Sequence, residues 1–148
     1  MIKVYKVTEC PKESLILKDI GAVDYCDSYM VKSLTTDSID EIKNKIFTLP
    51  NWIDMLLEFR HSFIAKPFGL KTGDAAVPEI DRNENEIVLG DDDKHLYFRL
   101  SVMKKNTGQE IEVYLTTVVK FHNIWGRLYF LPVKPFHKQV VKALLKKV

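Results

Sequence analysis

Cysteine is scarce in this sequence: Cys10 and Cys26 are the only two among 148 residues. They stand far outside a CxxC spacing and are too few to build a zinc site by themselves. Both read as reduced thiols in a reducing compartment, with a single bridge between them as the alternative. Neither sign of charge dominates. The 22 basic and 20 acidic residues leave a net charge of +2, far from the basic excess of a dedicated nucleic-acid binder. Long apolar runs are missing as well, since none approaches the ~20 residues of a membrane span. The opening Met1-Ile2-Lys3-Val4-Tyr5-Lys6 lacks the apolar stretch of a signal peptide. The expectation is a cytoplasmic protein with no nucleic-acid partner and no membrane span.

Signatures of specific chemistry are also absent. Gly69-Leu70-Lys71-Thr72-Gly73 has a Lys-Thr pair but no GxxxxGK loop to wrap phosphates. There is no HExxH, and the four histidines are not at metal-ligand spacing. Asp91-Asp92-Asp93 lacks the ligand spacing and closing glutamate of a calcium loop, and no GxSxG elbow occurs. No metal or other cofactor is expected.

What is present is an ordinary globular composition: 46% hydrophobic and 28% charged residues, with only 6 Gly and 6 Pro. A chain of this length forms one domain, 1–148, that buries roughly 70% of its unfolded surface without a staple. The first 23 residues, carrying Pro11 and Gly21, read as a loosely docked arm. From Asp24 to Leu34, Tyr25, Tyr29 and Val31 suggest one face of a strand. Ser38 and Glu41 make a capping box for a short helix with Ile39, Ile42 and Ile46 on its apolar side. Asn51 caps a second helix, in which Trp52, Met55, Leu56, Phe59 and Phe63 recur at helical spacing until Pro67.

The period then changes. Glu86 to Gly90 reads as a short strand and Asp91 to Lys94 as a polar turn. Leu96, Phe98, Leu100 and Val102 alternate with His95, Tyr97, Arg99 and Ser101. After the Asn106-Thr107-Gly108 turn, Ile111, Val113, Leu115, Thr117 and Val119 alternate with Glu112, Tyr114, Thr116 and Val118. This is an antiparallel hairpin with one apolar and one mixed face. The segment from Asn123 to Val148 is helical, with Phe136, Val140, Leu144 and Val148 on one side and Lys134, Lys138, Lys142 and Lys146 on another. Pro132 and Pro135 are expected to kink or divide it. The lysine row reads as a solvated face. The fold class is α+β, a curved antiparallel sheet covered by a long C-terminal helix in the helix-grip arrangement.

Thr116-Thr117-Val118, His122-Asn123, Gly126-Arg127, Tyr129, Val133 and Pro135-Phe136-His137 resemble the signature of an uncharacterised bacterial family, domain of unknown function 2867. Upstream, Asp24-Tyr25 with Asp27, Leu57-x-x-Arg60 before Phe68-Gly69-Leu70-Lys71, and Asp93-x-His95-Leu96-x-Phe98-Arg99 agree with it. The resemblance spans Asp24 to Leu145. It implies membership of the START-like superfamily (polyketide-cyclase-like, SRPBCC, birch-pollen-allergen-like), whose members hold lipids, hormones or aromatic polyketides between sheet and helix. It implies no assigned reaction.

The residues themselves leave choices open. His122, His137 and Tyr129 are the acid–base candidates. Arg127 either meets an anionic ligand group or pairs with Asp24 or Asp27, while Asn123 caps the helix and Gly126 allows close packing. Arg60 and His61 read as surface or structural residues. Arg99, Tyr97 and Tyr114 share the mixed face: surface residues if that face is convex and wet, polar fixtures of a pocket if it is concave. Phe98, Leu100 and Phe136 would line the apolar walls. The expected function is binding of a small apolar or amphipathic molecule. The alternatives are an enzyme on the same scaffold (cyclase, dehydratase or hydrolase) and a protein-interaction domain with a filled core.

Overall fold

The structure is a computed structural model, and it describes residues 3–8, 11, 13–47, 79–92 and 96–148. The expected helix after Asn51, with Arg60 and His61, lies outside the described residues, as do Cys10 and His95.

Six strands form one sheet among the described residues: β1 (Tyr5–Val7), β2 (Tyr25–Ser33), β3 (Glu79–Arg82), β4 (Glu86–Asp92), β5 (Leu96–Asn106) and β6 (Ile111–Phe121). Their spatial order is β1-β2-β6-β5-β4-β3, and every neighbouring pair is antiparallel. A single turn of 3-10 helix (Leu15–Leu17) precedes β2, α1 (Ile39–Ile46) follows it, and α2 (Ile124–Leu145) closes the chain. No helix among the described residues is long and apolar enough to cross a membrane.

The hairpin follows from its two-residue period, and it runs further than the alternation alone suggests. Leu96 pairs with Phe121 and Asn106 with Ile111, and the register is unbroken between them. Thr107 and Gly108 close it, Gly108 with a φ of 107° that suits a residue without Cβ. The capping box of α1 forms as its sequence dictates: Ser38 Oγ accepts from Glu41 N, and Glu41 Oε1 accepts from Ser38 N.

The period places Tyr25, Asp27, Tyr29 and Val31 of β2 on one sheet face with Val113, Leu115, Thr117 and Val119 of β6. Toward the far end this face is packed solid. Tyr29, Val31, Ile87, Val102, Val113 and Leu115 meet Ile39, Ile42 and Ile46 of α1 and Val141, Leu144 and Leu145 of α2 in one buried cluster. A second cluster, Leu96, Val119 and Phe130 with Tyr25, Phe98 and Phe121, lies under the first half of α2.

Several expectations are corrected. The sheet is open and uncurled rather than curved. Bulges are a usual means of bending a sheet, and among the described residues the one register shift falls at the edge, between Glu79 and Asp81. The anticipated polar turn at Asp91 and Asp92 is the end of β4, paired with Phe98 and Tyr97. Strands β1 and β3 were not foreseen, because three residues in one and a Glu-Ile-Asp-Arg run in the other carry too little pattern. Both prolines lie within α2, and the helix continues through them. The intrahelical bonds that Pro132 and Pro135 delete would end on Leu128 and Leu131. Both residues are exposed, so water can serve those carbonyls.

The arm is bound to the mixed face rather than loosely docked. Ile16 and Ile20 are buried against Val88 and Val118. Arg99 Nη1 donates to the carbonyls of Ile16 (3.0 Å) and Lys18 (2.6 Å), and Lys120 Nζ to that of Ile20 (3.3 Å). Beneath the arm lies Glu86, 1% exposed. Its Oε2 accepts from Ser14 Oγ (2.5 Å) and Ser101 Oγ, and its Oε1 from Leu15 N (2.7 Å). A carboxylate is tolerated in such a place because three donors replace its hydration.

Candidate functional site

Where β1 ends and β2 begins, the sheet edge and α2 do not close on each other. They leave a half-open cavity of about 320 Å3 lined by Lys6, Val7, Thr8, Tyr25, Cys26, Asp27, Lys134 and Lys138. Strand pairing brings Lys6 opposite Tyr29 and Val7 opposite Ser28, and so sets β1 beside the start of β2. Helix α2 starts at Asn123, whose side chain accepts from Gly126 N at 3.2 Å. It then crosses to β2, where Lys134 and Lys138, one turn apart, reach the cavity.

Against the cavity lies a cluster of polar groups taken from two elements. Asp27 stands on the apolar face of β2 and is only 6% exposed. Tyr25 OH donates to its Oδ2 at 2.5 Å, and His137 Nε2 lies 3.2 Å from the same oxygen. Asp27 Oδ1 and, on the strand partner across from it, Thr117 Oγ1 are buried without hydrogen-bond partners. Burial pushes the Tyr25 phenol far above its ordinary value, and the Asp27 carboxylate adds to the shift by favouring the protonated hydroxyl. Burial likewise raises Tyr29, with a smaller contribution from Asp27. The aromatic rings behind this cluster are Phe130, edge-on to Tyr25 at 4.8 Å, and Phe121 at 5.7 Å from Phe130.

A phenol that must stay neutral in the fold ties stability to pH. Its folded value exceeds its unfolded value of ~10, so the stabilisation is complete below about pH 10 and is lost as pH rises above it. Denaturant melts from about pH 8 to pH 11 should show a stability loss that is shallower in Tyr25→Phe than in the parent protein. Equal slopes would mean that Tyr25 ionises freely in the folded chain.

The structure distributes the other candidates widely. His137 turns toward the sheet, onto Asp27. His122 sits at the surface with Nε2 2.5 Å from Asp92 Oδ1. Arg127 chooses Asp24, at 3.4 Å, over Asp27, and lies over the Phe121 ring. Arg99 and Tyr97 are engaged under the arm, Arg99 Nε donating to Tyr97 OH at 2.9 Å. Tyr114, on the same face, donates to Glu112 Oε1 at 3.0 Å, and burial with that carboxylate raises its phenol to about 12. The mixed face is therefore neither a wet surface nor a pocket wall in this region. Phe98 joins the aromatic cluster and Leu100 the main core, and neither lines the cavity. The side chains of Tyr129 and Phe136 lie outside the described residues.

Sequence reasoning missed Lys6, Thr8 and Cys26, and read Lys134 and Lys138 as solvated. It named Asp27 in the family resemblance and as a possible partner of Arg127, and gave it no place in a site. One signal was available: an aspartate in phase with Tyr25, Tyr29 and Val31 on the core-facing side of a strand. Among the described residues no group of His, Cys, Asp and Glu side chains could hold a metal ion.

No curated protein and no solved structure matches the chain. A family model does, over residues 20–144, which include β2 to β6 and nearly all of α2. The chain thus belongs to the family described as Protein of unknown function (DUF2867).

Proposed function

We propose that this domain is a START-like binding module that holds a small amphipathic molecule between the sheet edge and its C-terminal helix. The observation that supports this reading is the cavity of about 320 Å3, at the lower end of the ~300–1,000 Å3 range of small-molecule sites. It combines a few placed polar groups with the apolar Tyr25 ring, the mixture that orients one molecule. The rest of the space between sheet and helix is filled by Leu115, Val102 and Leu144, so the site lies at the margin of the sheet rather than over its centre.

The test is native mass spectrometry of the full chain purified from its own host, beside a Thr8→Trp variant, Thr8 being the lining residue that follows Val7 and so alternates to the Asp27 side of the sheet edge. The parent protein should carry a non-covalent adduct of low mass. In the variant the indole occupies the cavity, and the adduct should fall at least about tenfold, the equivalent of ~1.4 kcal/mol. An unliganded parent protein, or an adduct indifferent to the substitution, would overturn the proposal.

An enzyme on the same scaffold is the second reading. It is favoured by His137, whose Nε2 lies 3.2 Å from the buried Asp27 carboxylate beside the cavity, an arrangement that suits an imidazole held for proton transfer. His137→Ala separates the two. Turnover of the bound molecule that disappears while its affinity persists identifies an enzyme, and retained affinity with no turnover in either protein identifies a carrier.

A further inference from the structure

The cavity lining is unbalanced in charge. Three lysines, Lys6, Lys134 and Lys138, share the lining with a single acidic residue, Asp27. That carboxylate is already committed: its Oδ2 takes the Tyr25 hydroxyl and lies against His137, and its Oδ1 is out of contact with solvent. Among the described residues none of the three lysines forms an ion pair. Lys134 is held instead over the Tyr25 ring, 5.3 Å from its centroid, a contact that positions the charge without neutralising it. Elsewhere on the surface Lys18, Lys32, Lys45 and Lys105 have carboxylate partners, while Lys3, Lys43 and Lys146 form no ion pair among the described residues. What sets Lys6, Lys134 and Lys138 apart is that three unpaired cations share one cavity.

We infer that the molecule held here carries an anionic head group, a carboxylate or a phosphate, with its apolar part on the Tyr25 ring. The inference rests on the reading that this cavity is a ligand site. Concave walls of low polarisability strengthen the attraction of clustered cations for an anion, and the half-open mouth leaves that attraction sensitive to salt. Asp27 does not cancel it, because one carboxylate stands against three lysines.

The test uses the full chain freed of bound small molecules and titrated calorimetrically at low salt with hexanoate, hexyl phosphate, hexan-1-ol and hexylammonium. At least one anion should bind about tenfold tighter than hexan-1-ol, an ordinary effect for a charge-assisted contact. Hexylammonium should bind weakest, and the two anionic probes decide between carboxylate and phosphate. In Lys134→Gln/Lys138→Gln the preference for the anion over the alcohol should shrink to less than about twofold. Circular dichroism should show an unchanged fold, because both substitutions keep the side chain polar and helix-compatible. The inference is overturned if hexan-1-ol or hexylammonium binds as tightly as the anions, or if the anion preference survives the double substitution. It is overturned too if none of the four binds at millimolar concentration. In each of these cases an adduct on protein from its own host would leave the cavity standing as a ligand site of other chemistry. Absence of the adduct would remove both.

Discussion

Glu86→Leu should destabilise the domain by about 3 kcal/mol, lowering the melting temperature by roughly 10 °C. The carboxylate is fully buried and serves as acceptor for Ser14 Oγ, Leu15 N and Ser101 Oγ. Leucine fills the space but abandons these donors, of which the Leu15 amide has no freedom to turn elsewhere. Each buried donor left alone costs about 1–3 kcal/mol. Glu86→Gln keeps one acceptor oxygen, and the two serine hydroxyls can rotate to accept from its amide, so about 1 kcal/mol is expected there. The milder effect of Gln is diagnostic, since a site governed by burial of apolar surface would favour Leu instead. The damage should also be local before it is global. Amide exchange at Leu15, Ile16 and Ile20 should accelerate in Glu86→Leu while the paired amides of β5 and β6 stay protected. Thermal melts and exchange read by mass spectrometry check both statements.

Leu115→Ala should cost a comparable amount, about 3 kcal/mol within the 2–5 kcal/mol span of such truncations, by another route. Leu115 is inaccessible to solvent in the middle of β6, with Tyr29 on one side strand and Val102 on the other. Helices α1 and α2 both press on this cluster, so removing the side chain leaves a void that no single element can relax into. Chemical denaturation should show the loss in the midpoint with the slope unchanged. Unlike the Glu86 variants, this one should loosen the sheet and both helices together. A cost below about 1 kcal/mol would mean that the core between sheet and helices is not close-packed.

These two positions mark how much of the molecule could be read in advance. Leu115 was legible, because Ile111, Val113, Leu115, Thr117 and Val119 alternate without interruption and the register of β6 against β5 follows from the turn. The same holds for the Ser38–Glu41 box, whose geometry is written in two residues three apart. Glu86 was not legible. Its partners Ser14 and Leu15 lie more than 70 positions upstream, and only the docked arm makes a buried glutamate sensible. The question left open for the mixed face, wet or concave, had a third answer for the same reason. Edge strands β1 and β3 escaped because pairing, rather than intrinsic preference, makes them strands.

The site shows the limit most clearly. Asp27 could have been flagged as a carboxylate in phase with apolar neighbours. That its partner is His137, and that Lys134 and Lys138 flank the same cavity with Lys6, depends on where α2 crosses β2. The helix passes through Pro132 and Pro135, so of the two outcomes that local chemistry suggests, a kink or a division, the chain is not divided. A lysine row that is uniform in sequence therefore has two different surroundings in space. Lys134 and Lys138 reach the cavity, while Lys142 lies over the Tyr29 ring.

The central claim, that a small molecule is held at the margin of the sheet, is tested most directly by comparing two preparations of the same chain. One is the protein as isolated from its own host, the other the same protein refolded after all bound molecules are removed in urea. Backbone amide NMR spectra of the two should differ at Lys6, Val7, Thr8, Cys26, Asp27, Lys134 and Lys138, the residues around the cavity. They should coincide at Val102, Val113 and Leu115, which are packed in the filled core. Identical spectra throughout, or differences centred on that core, would contradict the account.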